Sequence, residues 1–276
     1  MKKISYGSHY LDNKDYILIN KVLKSNYLTN GPVTSLFENK LKKYFKTKFC
    51  LTASSATAGL NLAFKAIGLK KKDVVIMPVI NFIASYNMAK NLDAKIYLAD
   101  VDKHSGQMRP IDVENCIKKN NLKNIKCVVS MYLGGAPENI EGFFKLKKKY
   151  KFLLIEDACH AFGSIAYFNN KYNKIGSNLN SDIAVFSFHP VKAITTGEGG
   201  CLTFNNKKFY ENAMLLRNHG IKRSKNHWDY DVVANGYNYR LSDINCALGI
   251  TQLNKVHLFT KVRNKIATEY KKKLSK

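Results

Sequence analysis

Three short segments of this 276-residue chain carry side chains whose types and settings fit one chemistry. The first is Phe186-Ser187-Phe188-His189-Pro190-Val191-Lys192, running on through Ala193-Ile194-Thr195-Thr196 to Gly197-Glu198-Gly199-Gly200. A lysine among forty is ordinarily a solvated side chain. Lys192, however, follows an apolar run of strand type and precedes a glycine-rich turn, so its amine can be held in a partly desolvated pocket. Desolvation disfavours the ammonium form and leaves a nucleophile able to form a Schiff base with a carbonyl. Glu198 receives no catalytic role, because the glycines around it read as a tight turn needing positive φ and close backbone approach.

The second segment, Phe152-Leu153-Leu154-Ile155-Glu156-Asp157-Ala158-Cys159-His160, ends an apolar strand in two acids. Strand carboxyl ends border the ligand crevice of an α/β sheet. Asp157 there either pairs with a protonated ring nitrogen, as an electron-sink cofactor requires, or caps the next helix. The third segment, Leu51-Thr52-Ala53-Ser54-Ser55-Ala56-Thr57-Ala58-Gly59, is a small polar turn between strand and helix. Its amides and hydroxyls suit a phosphate at a helix start, although Ser and Thr also serve as ordinary caps.

The elements that must position these side chains alternate along the chain. Strands are expected at 49–52, 74–77, 95–99, 127–131, 152–156, 183–188 and 201–204, most of them continuous apolar runs suited to burial on both faces. Helices are expected between them at 35–45, 56–67, 83–91, 111–118 and 142–149, with another at 14–24 and a helical pattern beyond Leu241. Ser35 and Glu38 have capping-box spacing, which places a helix start there. The alternation predicts an α/β fold with a mainly parallel sheet between helices.

Together FSFHPVKAITTGEGG, IEDACHAFGS, SSATAGLNLAF and GYNYRLSDINCALG resemble, in order and over essentially the whole chain, the DegT/DnrJ/EryC1/StrS family of pyridoxal-phosphate-dependent nucleotide-sugar aminotransferases. The resemblance implies fold type I, aspartate aminotransferase-like. Residues 1–250 would form the large cofactor-binding domain and residues 251–276 the start of a small domain cut short at the carboxyl end. It also implies pyridoxal 5'-phosphate as cofactor, with Lys192 as Schiff-base lysine and proton shuttle and Asp157 at the ring nitrogen. His160 would lie beside the O3′ edge and Phe82 would stack on the ring. Ala56, Thr57 and Ser187 would hold the phosphate, and Asn238 would reach the phosphate of a neighbouring subunit in a homodimer with shared active sites. Tyr6 and the turn Asn26, Tyr27, Leu28 and Thr29 match positions that line the substrate cleft. Read on their own, His160 is also a plausible helix-surface histidine, Phe82 a core aromatic, and the turn residues structural. Asn81 stands where the family more often has Thr or Ser.

The reaction so implied moves an amino group from L-glutamate to the C4 keto group of a UDP-linked 4-keto-6-deoxy-N-acetylhexosamine, as in pseudaminic acid-type surface sugar synthesis. The alternatives are a C3 or C4 aminotransferase for another UDP- or dTDP-keto-sugar, and an inactive fragment of such an enzyme. A related dehydratase branch has His in place of the lysine, and Lys192 argues against it.

Composition narrows the classes further. The net charge of +25 invites a polyanion, yet only five of the 45 basic residues are arginine, the usual fork for phosphates and bases. Scattered lysine reads as background, and neither nucleic acid nor membrane is expected as a partner. With 45% apolar residues the chain can bury a large core. No apolar run is long enough to span a bilayer, and MKKISYGSHY lacks a secretory pattern, so a cytoplasmic location is expected. The six cysteines are widely spaced without a CxxC pair, which predicts buried free thiols and no metal site.

Overall fold

The computed structural model describes residues 7–168, 170–224 and 228–274. In chain order the elements are α1 (Asn13–Leu23), α2 (Pro32–Phe45), β1 (Phe49–Ala53), α3 (Ala56–Ala66), β2 (Val74–Pro78), α4 (Ala84–Lys90), β3 (Lys95–Ala99), α5 (Pro110–Lys119) and β4 (Ile125–Met131). They continue with α6 (Ile140–Tyr150), β5 (Leu153–Asp157), β6 (Ile165–Phe168), β7 (Lys171–Lys174), β8 (Ile183–Ser187), β9 (Gly200–Phe204), α7 (Lys207–Arg217), β10 (Ile221–Arg223), β11 (Tyr230–Val232) and α8 (Asp243–Leu274).

The main sheet has seven strands in the order β1-β9-β8-β5-β4-β2-β3. Strands β3, β2, β4, β5 and β8 run parallel, whereas β9 is antiparallel to both β8 and β1. The exception has a local cause. No helix intervenes between β8 and β9, so the chain turns back beside β8 instead of crossing over.

Alternate side chains divide the core between the two faces. Leu51, Val75, Met77, Cys127, Val129, Ile155, Val185 and Leu202 point to one face and pack with α3, α4 and α7. Their neighbours point to the other: Ile76, Val128 and Leu154 against α5 and α6, and Cys50, Phe186 and Cys201 against α2 and α8. These strands are covered on both sides, which is why they read as continuous apolar runs.

The expected start of α2 at Ser35 is incorrect. The helix begins at Pro32, with Gly31 at the cap position and no side chain of its own bonding there. Glu38, the supposed partner of Ser35, instead accepts from the Thr52 amide and hydroxyl and pairs with Arg217 at 2.6 Å. The cap comes from far along the chain. Asp243 accepts from the amides of Gly31 and Val33, both at 3.0 Å, and from the Thr34 hydroxyl at 2.6 Å.

Helix α8 is buried at intervals from Asp243 to Val256. Beyond that, Leu258, Val262, Ile266, Tyr270 and Leu274, spaced four apart, form an exposed apolar stripe. Among the described residues no helix is long and apolar enough to cross a membrane. Five cysteines are buried, Cys159 is partly buried, and all six are free thiols.

Candidate active site

The sheet brings the chemistry-bearing segments to one edge. β1, β2, β4, β5 and β8 all end there and β9 begins there, with Met131 opposite Asp157, Asp157 opposite Val185, Ser187 opposite Gly200, and Gly200 opposite Ala53. The turns that follow carry Ala56 and Thr57, Phe82, His160 and Lys192.

Strand alternation separates the two acids of β5. Glu156 faces the α6 side, where its Oε1 accepts from the Tyr132 hydroxyl at 2.7 Å and burial pushes its carboxyl up. Asp157 faces the other side, towards α4. The buried Ser85 hydroxyl donates to its Oδ2 at 3.1 Å, and the Cys159 amide donates to its Oδ1 at 3.3 Å. Phe82, just before α4, is 70% exposed, a setting that rules out the core-aromatic reading.

His160 is largely open to solvent, but partial dehydration of its ring lowers its pKa, and the nearby Lys192 charge lowers it further. The ring is therefore neutral at neutral pH. The Gly134 amide donates to its Nδ1 at 3.4 Å, so the ring proton sits on Nε2. Burial holds the Cys159 thiol well above its ordinary value, which makes it inert as a nucleophile.

Lys192 lies half-buried in the turn after β8. Its amide donates to the His189 carbonyl at 2.9 Å, and its carbonyl accepts from Arg263 of α8 at 2.8 Å. Beside it opens a cleft of about 390 Å³ between Tyr10, Ala193, Leu258, Phe259 and Arg263. Gly197 and Gly199 have φ of 81° and 155°, the backbone freedom expected of this turn.

At the start of α3 the Ser55 hydroxyl accepts from the Ala58 amide at 3.0 Å, which leaves the amides of Ala56 and Thr57 as first-turn donors outside the helix's own bonding. A Cβ on Gly200 would lie 2.8 Å from the Ala56 nitrogen, so only glycine lets β9 approach this helix start. Ser187 Oγ accepts from the His189 amide at 3.3 Å, and its own proton is available to a ligand. Amides at a helix start beside hydroxyls form a donor set for a phosphate.

The turn Asn26, Tyr27, Leu28 and Thr29 is exposed and tied to α8 through the Asp243 amide and the Leu28 carbonyl at 3.0 Å. Asn238 is exposed and bridges to Asn218, while the next carbonyl, of Tyr239, accepts from the Ser54 amide at 2.9 Å. That contact sets the Asn238 segment against the turn before α3. Tyr6 lies outside the described residues.

The residues present fit pyridoxal phosphate by the chemistry of their donors: an amine on one strand end, a buried carboxylate on the next, first-turn amides nearby, and an exposed aromatic. The sequence pattern of the DegT/DnrJ/EryC1/StrS aminotransferase family matches residues 10–276. The chain belongs to that family. This aminotransferase is 39% identical to UDP-4-amino-4,6-dideoxy-N-acetyl-beta-L-altrosamine transaminase of Campylobacter jejuni, over 99% of its own length and 70% of the relative's. It is 34% identical to GDP-perosamine synthase of Escherichia coli O157:H7, over 100% of its length and 72% of that chain. Among solved structures it resembles Helicobacter pylori PseC, an aminotransferase involved in the biosynthesis of pseudoaminic acid, with a TM-score of 0.89 and 30% identity over 98% of this chain and 70% of that one. It also resembles Streptococcus pneumoniae Spr1654 in its PLP form, with a TM-score of 0.86 and 25% identity, covering 98% and 71% of the two chains. The family and these relatives are nucleotide-sugar aminotransferases; this chain is an enzyme of that class, and its cofactor is pyridoxal phosphate.

Ser85 and Asp243 were not singled out from sequence as site residues. Ser85 looks like a neutral filler within an apolar helix. Asp243 follows Ser242 at a helix start and reads as that helix's own cap.

Proposed function

We propose that this aminotransferase moves the amino group of L-glutamate to the C4 keto group of a UDP-linked 4-keto-6-deoxy-N-acetylhexosamine, in pseudaminic acid-type sugar synthesis in the cytoplasm. The observation that carries this substrate choice is the 39% identity to the Campylobacter altrosamine transaminase over 99% of the chain.

When bound, the cofactor supplies an electron sink for the carbon that loses or gains a proton. The protein's side chains do the rest. Lys192 Nζ would hold the cofactor and would be the group that takes up and returns a proton. Asp157 would face the ring nitrogen, and neutral His160 would offer Nε2–H to the cofactor. Phe82 covers one ring face. The Ala56 and Thr57 amides, with the Thr57 and Ser187 hydroxyls, hold the phosphate and fix the ring relative to Lys192. Asn238, exposed on its loop, reaches the phosphate of a second subunit, so the working form is a homodimer. The turn Asn26–Thr29 lines the sugar-nucleotide cleft.

The division of the chain belongs to the same reading. Residues 1–250 form the cofactor-binding unit. Residues 251–276 are assigned to a second unit, although α8 runs unbroken across that boundary and stays buried against the first unit as far as Val256, the exposed stripe starting only at Leu258. The test is product analysis. Holoenzyme given glutamate and the UDP-4-keto sugar should yield the 4-amino sugar by mass spectrometry, in preference to dTDP- or GDP-linked keto-sugars. Preference for a different nucleotide, or amination at C3, would contradict the substrate assignment and leave the family intact.

A further inference from the structure

Ser85 is fully buried in the first turn of α4, and the roles assigned above make no use of it. Its hydroxyl donates to Asp157 Oδ2 at 3.1 Å, and Asn81 Nδ2 donates to the same hydroxyl at 3.3 Å. A third contact fixes the direction of both bonds: Asn81 Oδ1 accepts from the Phe82 backbone amide at 2.7 Å. A backbone amide only donates, so the oxygen of Asn81 must face Phe82 and its NH2 must face Ser85. The NH2 group also only donates. Ser85 Oγ is therefore the acceptor in that bond, and its own proton is left for Asp157 Oδ2, which accepts it.

Asp157 needs such a donor. It is 3% exposed, and among the described residues no Lys or Arg forms an ion pair with it. A buried carboxylate without hydrogen bonds is costly. The titratable groups that interact with it are Cys159 and His160 on its own segment, and both of these also feel the charge of Lys192 from the turn after β8.

We infer that Asn81 and Ser85 are positioning residues, a directed hydrogen-bond relay that holds Asp157 in its accepting form and fixes the backbone of Phe82 through the same amide. The inference rests on the reading that Asp157 meets the cofactor's ring nitrogen. The relay ties the carboxylate at the ring's edge to the aromatic over its face, so both are set before the cofactor arrives. It also gives a use for Asn81, whose amide makes both the Phe82 and the Ser85 contact.

Two substitutions test it. Ser85→Ala removes the donor to Asp157. Asn81→Asp keeps the shape and the Phe82 contact but offers an acceptor to Ser85, which draws the hydroxyl proton away from Asp157. Each is expected to weaken pyridoxal phosphate binding by about tenfold or more in equilibrium dialysis, the scale of a lost hydrogen bond to a charged group. Each should also shift the pH midpoint of the bound cofactor's visible absorbance, a change that loosened packing alone does not produce. Circular dichroism establishes folding first; should buried Ser85→Ala fail to fold, Asn81→Asp at its half-buried site carries the test. Unchanged affinity and midpoint in the folded variants, beside an unsubstituted protein that binds the cofactor at Lys192, would overturn the relay alone. An unsubstituted protein that does not take up the cofactor would overturn the site reading, and the relay with it.

Discussion

Phe82 has 70% of its surface exposed, a setting in which a phenylalanine contributes little to folding and is useful when a flat ligand covers it. Phe82→Ala is expected to leave the unfolding midpoint within about 0.5 kcal/mol of the parent, as for other exposed positions. The same change should weaken cofactor affinity by up to about tenfold, the worth of one aromatic stack. Dialysis and urea unfolding of one preparation measure both, and a large stability loss with unchanged affinity would return Phe82 to the core. Asp157 and Lys192 could be singled out in the sequence because one closes an apolar strand and the other lies in the turn that follows one, where position narrows the choice of role. Ser85 could not, because a hydroxyl's partner depends on which strand end the fold sets opposite it.

At the scale of elements, the joint between α2 and α8 replaces the local cap that the sequence seemed to offer. Asp243 takes the cap amide of Gly31, the Val33 amide of the first turn and the Thr34 hydroxyl, and Gly31 is required because a Cβ there would run into the carboxylate and Tyr27. Asp243→Asn should destabilise the fold by about 2 kcal/mol, since an amide NH2 now faces backbone donors. Ser35→Ala, inside the helix, should stay within about 0.5 kcal/mol of the parent. Urea midpoints of the two variants decide between the distant cap and the capping box. The parallel strands were readable because burial on both faces leaves an unbroken apolar signature. Helix α7 and the β6–β7 and β10–β11 hairpins were not, because their exposed polar and aromatic residues carry neither periodicity strongly. The antiparallel course of β9 depends on a turn between β8 and β9, which apolar pattern does not encode.

At the scale of the whole molecule, the amino-terminal helix is held to the last one by charge. Asp15 is fully buried and accepts from Thr251, from Gln252 at 3.4 Å and from Lys255 at 2.5 Å, while Lys255 also pairs with Asp12 at 2.9 Å. Burial pushes the Asp15 carboxyl up, but the Lys255 and Thr251 hydrogen bonds outweigh it and hold the group below its ordinary value. The stabilisation is therefore complete above the unfolded value of about 4 and is lost as pH falls through the lower folded value. Thermal unfolding should show the melting temperature dropping below about pH 4, and Asp15→Asn should flatten that part of the profile. A variant with the parent's acid profile would remove Asp15 from the account. The net charge of +25 has no single use among the described residues; the proposed site singles out one lysine among forty, in the turn that follows β8. The most direct measurement of that claim is to incubate the protein with pyridoxal phosphate, reduce with borohydride and map the modified peptide by mass. The account predicts one stoichiometric label, on Lys192, that is absent from Lys192→Ala; no label, or label spread over surface lysines and unaffected by that substitution, would contradict it.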